Sequence, residues 1–117
     1  MGRSKEITKA YFELIDQHIK EVAFGHAEEF KEIQQIASEL FVSHQHLSAT
    51  IQKETGHHPC YFYDQKIIDT AKKMLIESDE SIAKIARRLT YDPSNFSKFF
   101  KKLVGNTPHI WRINHRK

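Results

Sequence analysis

Residues 82–108 read IAKIARRLTYDPSNFSKFFKKLVGNTP, and residues 33–59, IQQIASELFVSHQHLSATIQKETGHHP, align with them without a gap after a shift of 49 positions. Under this shift eight positions carry the same residue: Ile33/Ile82, Ile36/Ile85, Ala37/Ala86, Leu40/Leu89, Ser48/Ser97, Lys53/Lys102, Gly56/Gly105 and Pro59/Pro108. An internal repeat of this length predicts one supersecondary unit that is present twice in the fold.

Each copy has the pattern of a short helix, a tight turn and a second helix. In the first copy, Ile36, Ala37 and Leu40 form the apolar face of the short helix, and Ser43 is a residue type that caps the next one. In the second copy, Asp92 followed by Pro93 is the corresponding start signal. This is the pattern of a helix-turn-helix motif, whose second helix can enter the major groove of DNA.

The rest of the chain also favours helices, which gives an all-α fold of about seven. The predicted segments are 5–23, 33–40, 44–54, 59–78, 82–89, 93–104 and a last helix that starts at Pro108. The fourth is a long central helix between two lobes, and we expect its apolar residues to face the core: Phe62, Ile67, Ile68, Ala71, Met74 and Leu75. In the second lobe we expect Phe96, Phe99 and Phe100 to be buried, and Ile110 and Trp111 to pack on the core.

Composition excludes several classes of protein. With 117 residues, 39% of them hydrophobic and 28% charged, the chain has room for one ordinary domain or two small lobes. It has no apolar run of membrane-spanning length and no signal-peptide pattern, so no membrane partner is expected. A single cysteine, Cys60, provides no disulfide framework and fits a reducing, cytoplasmic location.

The net charge of +3 is distributed unevenly. Residues 81–117 contain nine Lys and Arg against one acid, a net +8, whereas residues 1–80 contain nine against fourteen, a net −5. A basic C-terminal third predicts a polyanionic partner for that part of the chain. A solvated basic surface without such a partner is the alternative interpretation of charge alone.

The sequence resembles the DNA-binding domain of AraC/XylS-type bacterial transcription regulators over about residues 28–113. In the first unit the resemblance rests on Ile36-Ala37-x-x-Leu40, Ser43-x-x-x-Leu47 and Gly56-x-x-Pro59. In the second it rests on the run from Ser81 to Leu89, the run from Ser94 to Lys102, Gly105-x-Thr107-Pro108 and Arg112. The resemblance implies two helix-turn-helix lobes joined by a rigid central helix, and sequence-specific promoter binding that usually activates transcription.

The sequence departs from that family at three places. Thr90 precedes Tyr91 where the family usually has glycine before an aromatic residue, and that turn is expected to be one residue shorter than usual. Ile67 stands where an arginine is common near the start of the central helix. Ala49 stands where family members often carry an arginine that reads bases.

Helical geometry selects the residues expected to face DNA. With Phe96, Phe99 and Phe100 buried, the outward residues of the sixth helix are Ser94, Asn95, Ser97, Lys98, Lys101 and Lys102. With Leu47 and Ile51 buried, those of the third helix are His44, Gln45, Ser48, Ala49, Gln52 and Lys53. We expect Lys98 to hydrogen-bond guanine, Gln45 to read adenine, and the later lysines to contact phosphate. An ordinary solvated helix face is the alternative for each residue taken singly.

The sequence predicts four segments: an N-terminal helix and linker (1–27), a first helix-turn-helix lobe (28–58), a linking helix (59–79) and a second lobe (80–117). The first helix either packs on the first lobe or forms the end of a linker to a sensor or dimerisation domain. RNA polymerase is the other expected protein partner. A helical protein-interaction module that engages an acidic partner or RNA polymerase is the alternative function.

No catalytic site, cofactor site or metal site is expected. His57, His58 and Cys60 are possible metal ligands, but they lie at a helix start without a second spaced pair. The four glycines form no phosphate-binding loop, and no serine lies in a nucleophile motif. We therefore expect a binding protein rather than an enzyme.

Overall fold

The computed structural model describes residues 2–116, and every regular element in that range is a helix. The elements are α1 (Gly2–Ala23), α2 (Ile33–Glu39), α3 (His44–Thr55), α4 (Pro59–Glu77), α5 (Ile82–Arg88), α6 (Pro93–Val104) and α7 (Pro108–His115). The expected all-α fold is confirmed, and most helix ends lie within one residue of the predicted ones. The exception is α1, which begins at Gly2 rather than near residue 5, because no proline interrupts the chain before its apolar stripe.

Side-chain caps begin most of these helices where the sequence places them. The Ser43 hydroxyl accepts a hydrogen bond from the His46 amide at 3.0 Å, and the Asp92 carboxylate accepts one from the Ser94 amide at 3.1 Å. Gly56 ends α3 at a φ of +83°, in the left-handed region that glycine adopts without a steric penalty. These local signals fix the length and direction of α3 and α6.

The first core lies between α1, α2, α3 and α4. Tyr11 and Ile15 of α1 are fully buried against Leu47 and Ile51 of α3, and the Tyr11 hydroxyl donates a hydrogen bond to the Pro59 carbonyl at 2.7 Å. The buried side chains of α1 and this hydrogen bond stabilise the first lobe, so α1 is part of the folded lobe and not only a linker. The structure therefore confirms the interpretation in which α1 packs on the first lobe.

The second core lies between α4, α5, α6 and α7. Its centre contains Leu75, Leu89, Phe96, Phe100 and Trp111, all buried. The rings of Phe100 and Trp111 meet edge to face with their centroids 5.9 Å apart, a favourable geometry for aromatic pairs. This packing fixes α6 against the C-terminal helix.

Phe62 packs on the first core as expected but is only partly buried. Tyr63 beside it is the buried aromatic residue in the first turns of α4, because its hydroxyl donates a hydrogen bond to the Lys31 carbonyl at 2.8 Å. Two expectations about buried residues were wrong. Ile110 is 47% exposed, because α7 is a single short helix that turns only the Trp111 side toward the core. Phe99 is only half-buried, with its ring stacked on Tyr91.

Phe30 joins the two cores. It packs against both clusters of buried residues, with its ring centroid 6.0 Å from that of Tyr63 and 6.3 Å from that of Tyr91. Arg88 of α5 adds a polar link, because its guanidinium donates to the Ala23 carbonyl at the end of α1 at 3.1 Å. The lobes are therefore held together by side chains as well as by the continuous helix α4.

Arg112 fixes the far end of α4. Its guanidinium donates hydrogen bonds to the carbonyls of Leu75 at 2.8 Å, Ser78 at 3.0 Å and Glu80 at 2.7 Å. These carbonyls lie in the last turn of α4 and the segment after it, where a helix leaves acceptors without internal partners. The C-terminal helix thereby sets where α4 ends.

None of the helices in residues 2–116 combines the length and apolarity that crossing a membrane requires.

The described part of the chain measures 46 × 28 × 22 Å, and its long dimension exceeds the length of about 28 Å that 19 helical residues give α4.

Candidate nucleic-acid interface

Helix α6 separates an aromatic face from a basic one. Phe96 and Phe100 are fully buried, whereas Ser94, Lys98 and Lys101 are exposed on the opposite side. The Asp92 carboxylate holds the first turn by accepting from the amides of Ser94 and Asn95. A helix that is anchored by its aromatic face and capped at its start presents its basic face in a fixed orientation.

Helix α3 has the same arrangement with less charge. Leu47 and Ile51 are fully buried, and Thr50 is buried beside them. The exposed side carries polar side chains and one lysine, Lys53, in place of the several lysines of α6. Gln52 is not free on this side, because its side-chain nitrogen donates to the Gly56 carbonyl at 3.1 Å and so closes the end of the helix.

The twelve residues expected to face DNA all lie outside the two cores. Ser48 and Ser97 are half-buried, and the other ten are exposed: His44, Gln45, Ala49, Gln52, Lys53, Ser94, Asn95, Lys98, Lys101 and Lys102. They form two separate helix faces, one per lobe, and equivalent positions are related by the 49-residue repeat. The structure therefore brings each set of six together on its own helix.

The lysines of α6 differ in their surroundings. Within residues 2–116, Lys98 and Lys101 enter no ion pair, so both charges are available to a ligand. Lys102 lies near the half-buried Asp64 of α4. Burial raises the pKa of that carboxyl group, and the positive charge of Lys102 opposes the increase. The Lys102 ammonium group thus interacts with Asp64 of the protein itself.

The turns of the two motifs have an unusual backbone at equivalent positions. Phe41 has a φ of +60° and Thr90 a φ of +63°, in the left-handed region where side chains other than glycine are disfavoured. The turns also have equal length, because Leu40 and Leu89 directly follow the first helices, and Ser43 and Asp92 directly precede the second ones. Thr90 therefore occupies a backbone position that favours glycine, the residue that the resemblance implies there.

The remaining departures have structural outcomes as well. Ile67 is 3% exposed within the first core, so an apolar contact occupies the place where an arginine is common. Ala49 is exposed on α3 and leaves that face without a long base-reading side chain at this position.

Residues that position the interface were not identified as such from the sequence. Arg88 binds the Glu80 carboxylate at 2.6 Å and the end of α1, and this hydrogen bond lowers the pKa of Glu80. Phe30 joins the two cores although it precedes the first predicted helix of its lobe. A single arginine on the polar side of a helix, or a phenylalanine outside a periodic segment, gives no sequence signal for such a role, since its partners are distant along the chain.

The fold and these two faces define a class of protein: a helical DNA-binding domain with two helix-turn-helix units. A family profile described as a helix-turn-helix domain matches residues 36–114. The chain belongs to this helix-turn-helix family and is of the AraC type. Members of this family are DNA-binding domains of transcription regulators and not enzymes.

Individual relatives agree with this assignment. The chain is 31% identical over 108 residues to the HTH-type transcriptional regulator YtdP of Bacillus subtilis, covering 92% of this chain and 14% of that protein. It is 27% identical over 113 residues to YobQ of the same organism, another HTH-type transcriptional regulator, covering 85% of this chain and 46% of that protein. The chain thus spans less than half the length of either regulator.

A solved structure has the same architecture. The C-terminal domain of AraT, a response regulator from Geobacillus stearothermophilus, superimposes with a TM-score of 0.81 at 25% identity, covering 95% of this chain and 87% of that one. Together with the family match, this places the chain among domains that bind DNA sequence-specifically to regulate transcription.

Proposed function

We propose that α3 and α6 enter two successive major grooves on one face of double-stranded DNA, with α4 setting the distance between them. The observation that carries this proposal is the pair of exposed recognition faces, which are equivalent under the 49-residue repeat and held in one body by Phe30 and Arg88. About 28 Å of helix is commensurate with the roughly 34 Å of one turn of B-DNA. The two recognised elements then lie about 10 base pairs apart.

The proposed base contacts follow from side-chain chemistry. Lys98 donates to guanine, Gln45 bonds adenine through two atoms, and Ser94 and Ser97 adapt to either base. Lys101 and Lys53 contact phosphate, as do Lys102 and His44 at the edges of the two faces. Ala49 offers only a methyl group, which suits contact with a thymine methyl rather than a hydrogen bond. Asn95 and Gln52 complete the two faces.

The lobes contribute unequally in this proposal. Residues 81–117 carry nearly all the excess positive charge, so the second lobe supplies most of the salt-dependent affinity. The first lobe, which has fewer positive charges on α3, contributes orientation and moderate base reading.

The partners proposed for the whole protein lie outside this chain. A sensor or dimerisation domain is one, which the larger size of the related regulators supports. RNA polymerase is the other, with activation as the outcome at the promoter. The protein then works in the bacterial cytoplasm, associated with the nucleoid through DNA.

Selection of bound duplexes from a random library at physiological salt tests the proposal. We expect a motif with two elements about one helical turn apart. Recovery of a single element would limit sequence reading to one lobe. The absence of any enrichment, with binding lost at moderate salt, would contradict the proposal and favour a helical protein-interaction module.

A further inference from the structure

Phe24 is an exposed apolar side chain near the junction of the two lobes, and it belongs to neither core. It follows the last residue of α1 and is 68% exposed. A depression of about 290 Å³ lies on one side of it, between the end of α1 and the last turns of α4, and Met74 and Ala23 line its apolar part. A second depression of about 330 Å³ lies on the other side, toward α5 and the turn at Thr90.

Basic side chains surround this apolar centre. Lys20 and Lys73 border the first depression, and Arg87 borders the second. None of these three enters an ion pair within residues 2–116, whereas Arg88, which borders both depressions, is paired with Glu80. The acids on the same border are Glu77 and Glu28, so three unpaired bases stand beside two acids.

This border is less acidic than the segment to which α1 and α4 belong. Residues 1–80 have five more acids than bases, but around Phe24 the two lysines of that segment are joined by Arg87 and Arg88 from the basic segment 81–117. We call the patch formed by Phe24, Met74, Lys20, Lys73 and Arg87 the Phe24 surface. Its composition, an exposed aromatic ring beside a concave apolar floor with a basic border, is typical of a protein-binding site rather than a phosphate-binding one.

The Phe24 surface is separate from the recognition faces. Neither α3 nor α6 contributes a residue to the lining of the two depressions. A partner can therefore occupy it while both recognition helices remain available to DNA.

We propose that the Phe24 surface binds an acidic segment of a partner protein, which places an apolar side chain in the depression beside Phe24 and its carboxylates against Lys20 and Lys73. An amphipathic acidic helix fits this chemistry, because one stripe can cover Phe24 and Met74 while its flanks face the basic border. Burial of the Phe24 ring supplies affinity, and the border charges supply selectivity for acidic partners.

The test uses a fluorescein-labelled synthetic helical peptide of about four turns, with leucines on one stripe and glutamates elsewhere. Fluorescence anisotropy measures its affinity for the full chain. We expect Phe24→Ser to weaken binding at least about tenfold, as loss of a buried aromatic contact requires. Lys73→Glu changes only an exposed charge and should weaken binding several-fold without affecting the fold.

Phe41→Ser is the matched control, since Phe41 is an even more exposed phenylalanine, at 91%, that lies outside both depressions. It should bind the peptide as the native chain does. Amide chemical-shift mapping with ¹⁵N-labelled protein should place the peptide-induced shifts at the ends of α1 and α4. Unchanged duplex binding by Phe24→Ser would show that the variant is folded.

Three results would overturn the proposal: native affinity in both Phe24→Ser and Lys73→Glu, shifts confined to α3 and α6, or equal binding of a peptide with lysines in place of glutamates. Shifts at the Phe24 surface on addition of duplex DNA alone would assign the surface to DNA instead.

Discussion

Thr90 has a side chain that does not suit its backbone conformation. A β-branched residue at a φ of +63° has steric contacts that glycine lacks, and Thr90 is exposed, so no packing compensates. We expect Thr90→Gly to raise the free energy of unfolding by about 0.5–1 kcal/mol, the relief of strain exceeding the added entropy of the unfolded chain. Urea unfolding measures the change.

Thr70→Gly is the control for that substitution. Thr70 lies inside α4, where glycine is disfavoured, so the same chemical change should destabilise the protein by about 1 kcal/mol. A loss of stability in Thr90→Gly would show that the threonine side chain makes a favourable contact in the turn.

His18 is a second residue with an individual effect, because its protonation links folding stability to pH. Its side chain is 3% exposed and its Nε2 accepts a hydrogen bond from the Lys31 amide at 2.9 Å, so the neutral ring is the form that fits. Burial, followed by the charge of Lys31, lowers its pKa in the folded chain, against the smaller opposing effect of Glu21. The unfolded chain thus takes up a proton near pH 6.5 that the folded chain does not.

Stability from this group is therefore present above pH 6.5 and is lost as the pH falls below it. We expect the urea midpoint of the native chain to drop more between pH 7.5 and pH 5.5 than that of His18→Gln, which keeps an acceptor for the Lys31 amide without a titrating ring. Equal drops in the two proteins would place the pH dependence elsewhere.

At the scale of a helix, α6 and α3 make a quantitative contrast. Lys98 and Lys101 carry unpaired charges on α6, whereas Gln45 on α3 is neutral. We expect Lys98→Ala with Lys101→Ala to reduce the slope of log affinity against log salt by about 1, since Lys101 neutralises one phosphate, and to relax base preference in the second element, where Lys98 binds guanine. Gln45→Ala should leave the slope unchanged and relax base preference in the first element.

Isothermal titration with the selected duplex at several salt concentrations measures both effects. If the double lysine variant weakened binding no more than Gln45→Ala, the proposed ranking of the lobes would be wrong.

Individual helices show how far prediction from the sequence reaches. The limits of α6 were predictable because Asp92, Pro93 and Gly105 are local signals whose chemistry acts within one turn. The exposure of Ile110 was not, because in a short helix the buried side depends on where its neighbours lie. The choice between Phe62 and Tyr63 likewise depended on a carbonyl at Lys31, 32 positions away along the chain.

The recognition faces were predictable for a related reason. Once Phe96 and Phe100 were assigned to the core, helical periodicity determined which residues of α6 are exposed. The Phe24 surface was not predictable, since it forms where the ends of α1 and α4 meet and no pattern along the chain relates them.

At the scale of the whole molecule, the lobes should protect DNA as one unit. We expect hydroxyl-radical footprinting on the selected duplex to show two protected regions about 10 base pairs apart on the same face. The reason is that α4, Phe30 and Arg88 fix the relative positions of α3 and α6. Protection limited to one groove would contradict the two-groove proposal.

The aromatic link at Phe30 has a consequence for how binding strength is divided. When two DNA-binding lobes are joined by a flexible linker, the linker sets the effective concentration at which the second lobe meets its DNA element. Such lobes tolerate changes in the spacing between the two elements. Two recognition helices fixed in one body gain more affinity when both DNA elements lie on the same face of the duplex. They lose this gain when half a helical turn of DNA is inserted between the elements. In the proposed two-element complex, avidity thus depends on the contacts that join the lobes. One of these is the contact between the rings of Phe30 and Tyr91, whose centroids are 6.3 Å apart and which lie in neither recognition helix.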